Sequence, residues 1–391
     1  MEAMIELREL TKARGLAMAE ALIDLARLER NISIVQGRLA GRAGLLFTVK
    51  ADGYGHGAIP LACRAQAAGV EALGVANLQE ALRLRRAGIE LPILILGLSH
   101  PHHIPVLAEL GELDIGITID SIDFARALER EARRLRTRPS VQVKVDTGLG
   151  RIGIMPEEVL SFFRSLRQFR HLQVRGIFSH LSAASGRDPA DRAYTLEQIA
   201  RFNDALEKLD RAGLLPPLRH IANSAGLIGY FAEVTSGYFN LVRPGILLYG
   251  YPELEADWTE GIGPIMSVRT WVVSTRAVPQ GAYLGYGRSY RAPRPLRVAI
   301  IPVGYEDGLD IKLSNCGEVA IRGERAPIVG RISMDQTIID ISHLSGVSVG
   351  EEVELIGDRL PATELAEWGR APCVEAVLTR ISERVQRTYL N

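Results

Sequence analysis

Leu45 to Ala58 reads L-L-F-T-V-K-A-D-G-Y-G-H-G-A. An apolar, β-rich run, Leu45 to Val49, ends in a single lysine, Lys50, and passes at once into glycines that alternate with Tyr54 and His56. That is the pattern of a buried strand that delivers one amine to the rim of a site. Burial at the end of an apolar strand disfavours the charged form of lysine, and a deprotonated amine can form a Schiff base. Gly53, Gly55 and Gly57 let the backbone bend tightly and approach a ligand closely.

From Gly44 onward, short β-rich runs alternate with longer stretches of helical period. The strand candidates are Leu45–Val49, Ala72–Ala76, Ile93–Leu96, Ile115–Ile119, Val141–Val145, Val174–Phe178, Leu218–Ala222 and Leu241–Leu248. Helical patterns such as Leu78–Ala87, Ile122–Leu135, Pro156–Leu166 and Leu196–Ala212 lie between them. Eight such units predict an α/β fold, a (β/α)8 TIM-like barrel, ahead of an open doubly wound sheet. A barrel of this kind should carry its functional groups at the C-terminal ends of its strands. The sequence places Lys50, Asn77, Asp120, Lys144 with Asp146, His180, and Asn223 with Ser224 at such ends, and Arg243 on the eighth strand before Pro244 and Gly245.

After about Tyr251 the helical period fades, and short alternating runs cut by Gly and Pro turns predict a mainly antiparallel β domain. The expected division is an N-terminal extension over 1–18, the barrel over 19–255 and the β domain over 256–391. Residues up to about Gly15 read as a short amphipathic helix or an arm.

Composition narrows the function. The 46 basic and 46 acidic residues balance, so no long-range field favours nucleic acid, a membrane surface or a polyanionic substrate. Cys63, Cys316 and Cys373 are widely spaced and form no metal-ligand or C-x-x-C pattern, as expected of reduced thiols in a cytoplasmic protein. The N-terminus lacks the pattern of a secretory signal, and no run approaches the roughly 18–20 apolar residues of a membrane span.

Gly148, Gly150 and Gly153 have the G-x-G-x-x-G spacing of a dinucleotide loop. The acidic residue which that reading needs about 20 positions further on is missing, and the motif falls on the fifth strand instead of the first. His100, His102 and His103 sit around Pro101 without carboxylates or cysteines at ligand spacing, so no metal is expected. The loops after strands seven and eight are the usual phosphate site of such barrels. Here they offer the Ser224 hydroxyl and the Gly245 and Ile246 amides. An amine together with a phosphate cradle suggests pyridoxal phosphate.

V-K-A-D-G-Y-G-H-G around Lys50, K-V-D-T-G-L-G-R-I-G around Lys144 and Arg151, H-I-A-N-S-A around Ser224 and V-R-P-G-I-L-L-Y-G around Arg243 are followed by L-G-Y-G-R-S-Y at Tyr286, P-V-G-Y-E-D-G at Tyr305 and S-M-D-Q at Asp335. Together these motifs resemble alanine racemase, in the family's order, from about residue 19 to the C-terminus. The resemblance implies a pyridoxal 5'-phosphate-dependent isomerase, a cytoplasmic homodimer that interconverts L- and D-alanine and supplies D-alanine for peptidoglycan.

By that resemblance Lys50 holds the cofactor as a Schiff base and acts as one base, while Tyr286 of the partner subunit acts on the opposite face. Tyr54, Ser224, Gly245 and Ile246 hold the phosphate, with Asn223 beside Ser224. Arg243 faces the ring nitrogen, and His180 supports Tyr286. Arg151 lies near the phenolic oxygen, beside Lys144, a lysine often carbamylated in the family. Met334 of the partner subunit contacts the substrate carboxylate, Tyr305 lines the entrance, and Asp335 lies near it.

Two positions depart from some members. Glu383 stands before Arg384 and Val385 where some have tyrosine, and Ser333 stands where some have cysteine. A serine or broad-specificity racemase is the near alternative, and a non-catalytic pyridoxal-phosphate-binding protein is the alternative of another class.

Overall fold

The computed structural model describes residues 17–391, so the helix or arm expected up to about Gly15 lies outside the described residues. The chain divides into two compact units. One holds Ala26–Gly53 and Gly57–Pro264; the other holds residues 17–25, Tyr54–His56 and Ile265–Asn391.

The chain enters through β1 (Ala19–Asp24), which belongs to the second unit. The first unit then contains β2 (Gly44–Thr48), β3 (Ala72–Val75), β4 (Ile93–Leu98), β5 (Ile115–Ile119), β6 (Ser140–Lys144), β7 (Gln173–Phe178), β8 (Leu218–His220) and β9 (Leu241–Val242). Their order is β8-β7-β6-β5-β4-β3-β2-β9, with every ladder parallel. Two backbone bonds bridge β8 and β9 and complete the ring: Asn240 N–H donates to Arg219 O, and Arg243 N–H to Ala222 O, both at 3.1 Å. The (β/α)8 barrel read from the strand spacing is therefore present.

The eighth strand is shorter than the expected Leu241–Leu248. Pro244 has no N–H to give to a ladder, and the chain turns there, with Leu248 N–H bonded to Gly245 O at 2.9 Å. The helices follow their sequence signals. Ile122–Leu135 starts at Ser121, whose hydroxyl accepts the Phe124 N–H, and buries Ala125, Leu128 and Ala132, a cap of the kind that contributes about 1 kcal/mol. The longest, Pro189–Arg211, begins earlier than expected because Asp188 caps it and Pro189 occupies its first turn.

The second unit continues with β10 (Met266–Trp271), β11 (Ser274–Val278), β12 (Tyr283–Leu284), β13 (Tyr290–Arg291), β14 (Leu296–Ile301), β15 (Glu318–Ile321), β16 (Glu324–Pro327), β17 (Thr337–Asp340), β18 (Glu352–Ile356) and β19 (Gln386–Leu390). They form a six-stranded sheet β16-β15-β18-β10-β1-β19, a three-stranded sheet β11-β14-β17 and the hairpin β12-β13. All pairs are antiparallel except β1 with β19.

β1 pairs with β10 and β19 in the six-stranded sheet of the second unit. Its side chains alternate between buried and partly exposed, the signature of a sheet with one solvated face, whereas barrel strands such as β5 are buried along their whole length. Arg269 on β10 ties the sheet laterally through Glu20 of β1 and Glu352 of β18, each at 2.8 Å. Among the described residues no helix is long and apolar enough to cross a membrane.

Candidate active site

Lys50 follows β2 and opens a turn of unusual hand. Ala51 (φ 51°, ψ 49°), Asp52 (φ 52°, ψ 47°) and Gly53 (φ 63°, ψ 45°) are left-handed, and so is Tyr54 at φ 50°. A left-handed helical turn costs roughly 1–2 kcal/mol for each residue that carries a Cβ, and it persists only where the surroundings enforce it. Glu80 does so: its carboxylate accepts the N–H of Ala51 at 2.9 Å and that of Ala76 at 2.7 Å. Asp52 accepts the Ala58 N–H at 3.1 Å and pairs with Arg83 at 2.9 Å. Sequence reasoning missed Glu80, although Asn77-x-x-Glu80 has capping-box spacing and Asn77 does cap the helix Leu78–Arg86. In the second unit, Gly55 O accepts two N–H bonds from Arg387, at 3.1 and 2.9 Å, and the buried Tyr54 precedes it.

Arg243 is buried and has only neutral acceptors. Nη1 donates to His220 Nδ1 at 2.7 Å; Nη2 donates to Ser179 O at 2.8 Å, His180 Nδ1 at 3.2 Å and Ile221 O at 3.3 Å. Nε–H and the second Nη1–H have no partner among the described residues. Burial lowers its pKa to about 9, which leaves it a cation at neutral pH. Burial and then the Arg243 charge hold His180 and His220 well below the usual imidazole range, so both rings are neutral. His180 accepts from Arg243 through Nδ1, and its proton therefore sits on Nε2. The charge of Lys50 also bears on His180, so the two sequence-predicted groups share one neighbourhood.

Lys144 is buried, with its amine on Val145 O at 2.7 Å. Burial, reinforced by Arg243, lowers its pKa to about 7. A large neutral fraction at physiological pH is the nucleophilic form of an amine. Arg151 and Asp120 bear on the same amine, and Asp120 accepts the Gly153 N–H at 3.0 Å.

The loop of Gly148, Gly150 and Gly153 explains why a dinucleotide spacing appears here without a nucleotide site. Asp146 Oδ1 accepts the N–H groups of Gly148, Leu149 and Gly150 at 2.9, 2.8 and 3.1 Å, and Oδ2 accepts that of Arg151 at 3.0 Å. The backbone nest that would take a phosphate is filled by the chain's own carboxylate. Burial pushes the Asp146 pKa up, but the four N–H donors together outweigh it and hold the group below the usual range.

Ser224 starts the short helix Ser224–Gly229, which Asn223 caps by accepting the Gly226 N–H at 2.9 Å. The buried Ser224 Oγ accepts from Gly245 N–H at 2.9 Å and Leu247 N–H at 3.2 Å. Leu247, rather than Ile246, is thus the second amide at this hydroxyl. A hydroxyl that accepts two N–H bonds keeps its own proton for a third partner. A strand-end lysine, this hydroxyl with its proton still to give, and a buried guanidinium with N–H groups to spare fit pyridoxal phosphate: amine for aldehyde, an O–H donor for phosphate, and a donor for the ring nitrogen. No group of three or more His, Cys, Asp or Glu suited to a metal occurs among the described residues. The His100 side chain instead accepts the His102 N–H.

The remaining predicted residues belong to the second unit. Tyr286, Tyr305 and Met334 are 69%, 40% and 49% exposed. Tyr305 N–H donates to Ser333 O at 3.1 Å and Glu306 N–H to Met334 O at 3.2 Å, so the Tyr305 turn sits directly on the Met334 segment. Gly304 permits the approach: a Cβ there would lie 2.2 Å from Ser333 O and 2.3 Å from Met334 O. Arg384 clamps the same region, reaching Asp307 at 3.1 Å and Asp335 at 2.8 Å.

The alanine racemase N-terminal domain family matches residues 23–253 and the alanine racemase C-terminal domain family matches residues 265–389. An alanine racemase of Geobacter sulfurreducens is 40% identical over 377 residues, covering 95% of this chain and 97% of that protein. The solved alanine racemase of Clostridium difficile 630 superimposes with a TM-score of 0.88 at 30% identity, covering 96% of this chain and 97% of the other. Bartonella henselae alanine racemase, solved with covalently bound pyridoxal phosphate, gives a TM-score of 0.84 at 28% identity, covering 96% and 100%. This chain belongs to the alanine racemase family, isomerases that depend on pyridoxal phosphate and interconvert the enantiomers of alanine.

Proposed function

We propose that racemisation runs with two bases, Lys50 on one face of the substrate and Tyr286 of the partner subunit on the other, so that the working unit is a homodimer. The bound cofactor supplies a conjugated electron sink that acidifies the substrate α-C–H. Lys50 takes or returns the proton at the α-carbon on its face, and the phenolic oxygen of the partner's Tyr286 does so on the opposite face. The His180 Nε2–H stabilises that phenolate, because Arg243 already occupies Nδ1. Tyr54, Ser224, Gly245 and Ile246 would hold the phosphate of the bound cofactor. Arg151 and the partner's Met334 orient the substrate end, while Tyr305 and Asp335 shape the entrance. The enzyme works in the cytoplasm, and its D-alanine feeds peptidoglycan.

The observation that supports this best is the guanidinium of Arg243 among neutral acceptors. A carboxylate at that place would hold the ring nitrogen protonated; arginine gives up its proton reluctantly. Arg243 at the ring nitrogen would keep a bound cofactor only moderately electron-withdrawing, and Lys50 or the partner's Tyr286 would return the proton to the α-carbon. The test is α-proton exchange by NMR in D₂O with holoenzyme and separate L-alanine, L-serine, L-lysine and L-arginine, each followed by chiral analysis. Alanine should exchange and racemise fastest. Faster turnover of another amino acid would move the substrate and keep the chemistry. No exchange with any of them would sink the two-base reading.

A further inference from the structure

His220 is fully buried at the end of β8, and both of its ring nitrogens are engaged. Arg243 Nη1 lies 2.7 Å from Nδ1, and Gln142 Oε1 lies 2.8 Å from Nε2. A guanidinium has donors only, so Nδ1 must accept and the ring proton must sit on Nε2. In a dry interior that N–H needs an acceptor or destabilises the arrangement, and the buried Gln142 supplies it.

The barrel is shaped for this contact. In the strand register Gln142 of β6 stands opposite Gly176 of β7, and Phe178 of β7 stands opposite His220 of β8. The Gln142 amide reaches across Gly176, where a Cβ would lie 2.5 Å from Oε1 and 2.8 Å from Cδ. Phe178 stacks on the imidazole at 5.0 Å between centroids and 8° between planes, which keeps the ring from tilting away.

We propose that Gln142 is a positioning residue for the racemase reaction: its amide oxygen holds His220 as the Nε2–H tautomer, which makes Nδ1 the acceptor that fixes the Arg243 guanidinium. This rests on the assignment of Arg243 to the cofactor's ring nitrogen, although the tautomer itself is read without reference to activity. The chain has eight histidines, few enough to resolve in long-range ¹H–¹⁵N spectra of histidine-labelled holoenzyme. In the unsubstituted enzyme His220 shows a protonated Nε2 and a bare Nδ1; a protonated Nδ1 overturns the proposal without any variant.

Gln142→Met keeps the volume and removes the acceptor. It loses the fixed tautomer, and kcat falls about ten-fold with KM little changed. Gln142→Glu keeps an acceptor and retains both the tautomer and most of kcat. The proposal is overturned if Gln142→Met behaves as the parent enzyme, or if Met and Glu disturb the ring equally. A lost tautomer with full kcat would overturn the positioning role and leave the racemase reading standing.

Discussion

The groups on the barrel and those on the β unit are organised in opposite ways. Arg243, His220, Lys144 and Ser224 are buried, and each has its hydrogen bonds fixed by neighbouring strands or loops. Tyr286, Tyr305 and Met334 stand largely exposed, and only the backbone beneath them is tightly held. Burial sets charge state and tautomer, as a cofactor's electronic environment requires. On the proposal of a site shared between subunits, the barrel residues would be set within one chain and the exposed β-unit residues would meet those of a partner.

Substitutions separate the two halves. Lys50→Ala should abolish covalent cofactor attachment and lower kcat by roughly 10⁴-fold or more, checked by the visible spectrum and by steady-state assay. Tyr286→Phe should keep the bound-cofactor spectrum and the melting temperature while costing roughly 10²–10³-fold in turnover. A Tyr286→Phe enzyme with full activity in both directions would remove the second base.

The neutral histidines give the barrel its own pH signature. Their folded pKa values lie well below 6.5 because of burial and then Arg243. Below that value the unfolded chain binds protons that the folded chain refuses, so stability is present above about pH 6.5 and is lost as pH falls. Each of the two rings adds to this fall as the unfolded chain takes up its protons. Urea melts between pH 6.5 and 5 would show it, and His220→Phe should roughly halve the slope. A flat profile would mean that the two rings are not held neutral.

The β unit is tested through its backbone. Gly304→Ala puts a Cβ against two carbonyl oxygens and should cost about 1–3 kcal/mol. Because the Tyr305 and Met334 segments must part to admit it, KM should rise more than kcat falls. Unchanged melting and KM would show that this bracing is dispensable.

Much of this was legible in the chain. The barrel followed from eight spaced strands, and Lys50 from an apolar run that ends in one amine and a glycine-rich turn. Other features depend on partners remote in sequence. Ala51 and Asp52 have no local reason to be left-handed; Glu80, 29 positions from Ala51, supplies it. The partner of β1 in its sheet, β10, lies more than two hundred residues away in sequence, although the alternation of β1 itself is local. Gln142 is two residues before Lys144 and so on the same strand face, yet nothing local says that its amide meets His220, 78 positions on. The glycines after Asp146 misled by spacing alone, since the anion they enclose is Asp146 itself.

The most direct test of a site shared between subunits is complementation. Inactive Lys50→Ala and Tyr286→Phe proteins are mixed under conditions in which subunit exchange is shown independently, and alanine racemisation is measured. Half of randomly exchanged dimers are hybrids, and each should hold one intact site, so about a quarter of the unsubstituted activity should return. If hybrids form and activity stays at the level of the separate variants, Lys50 and Tyr286 do not meet across a dimer and the account fails at its centre.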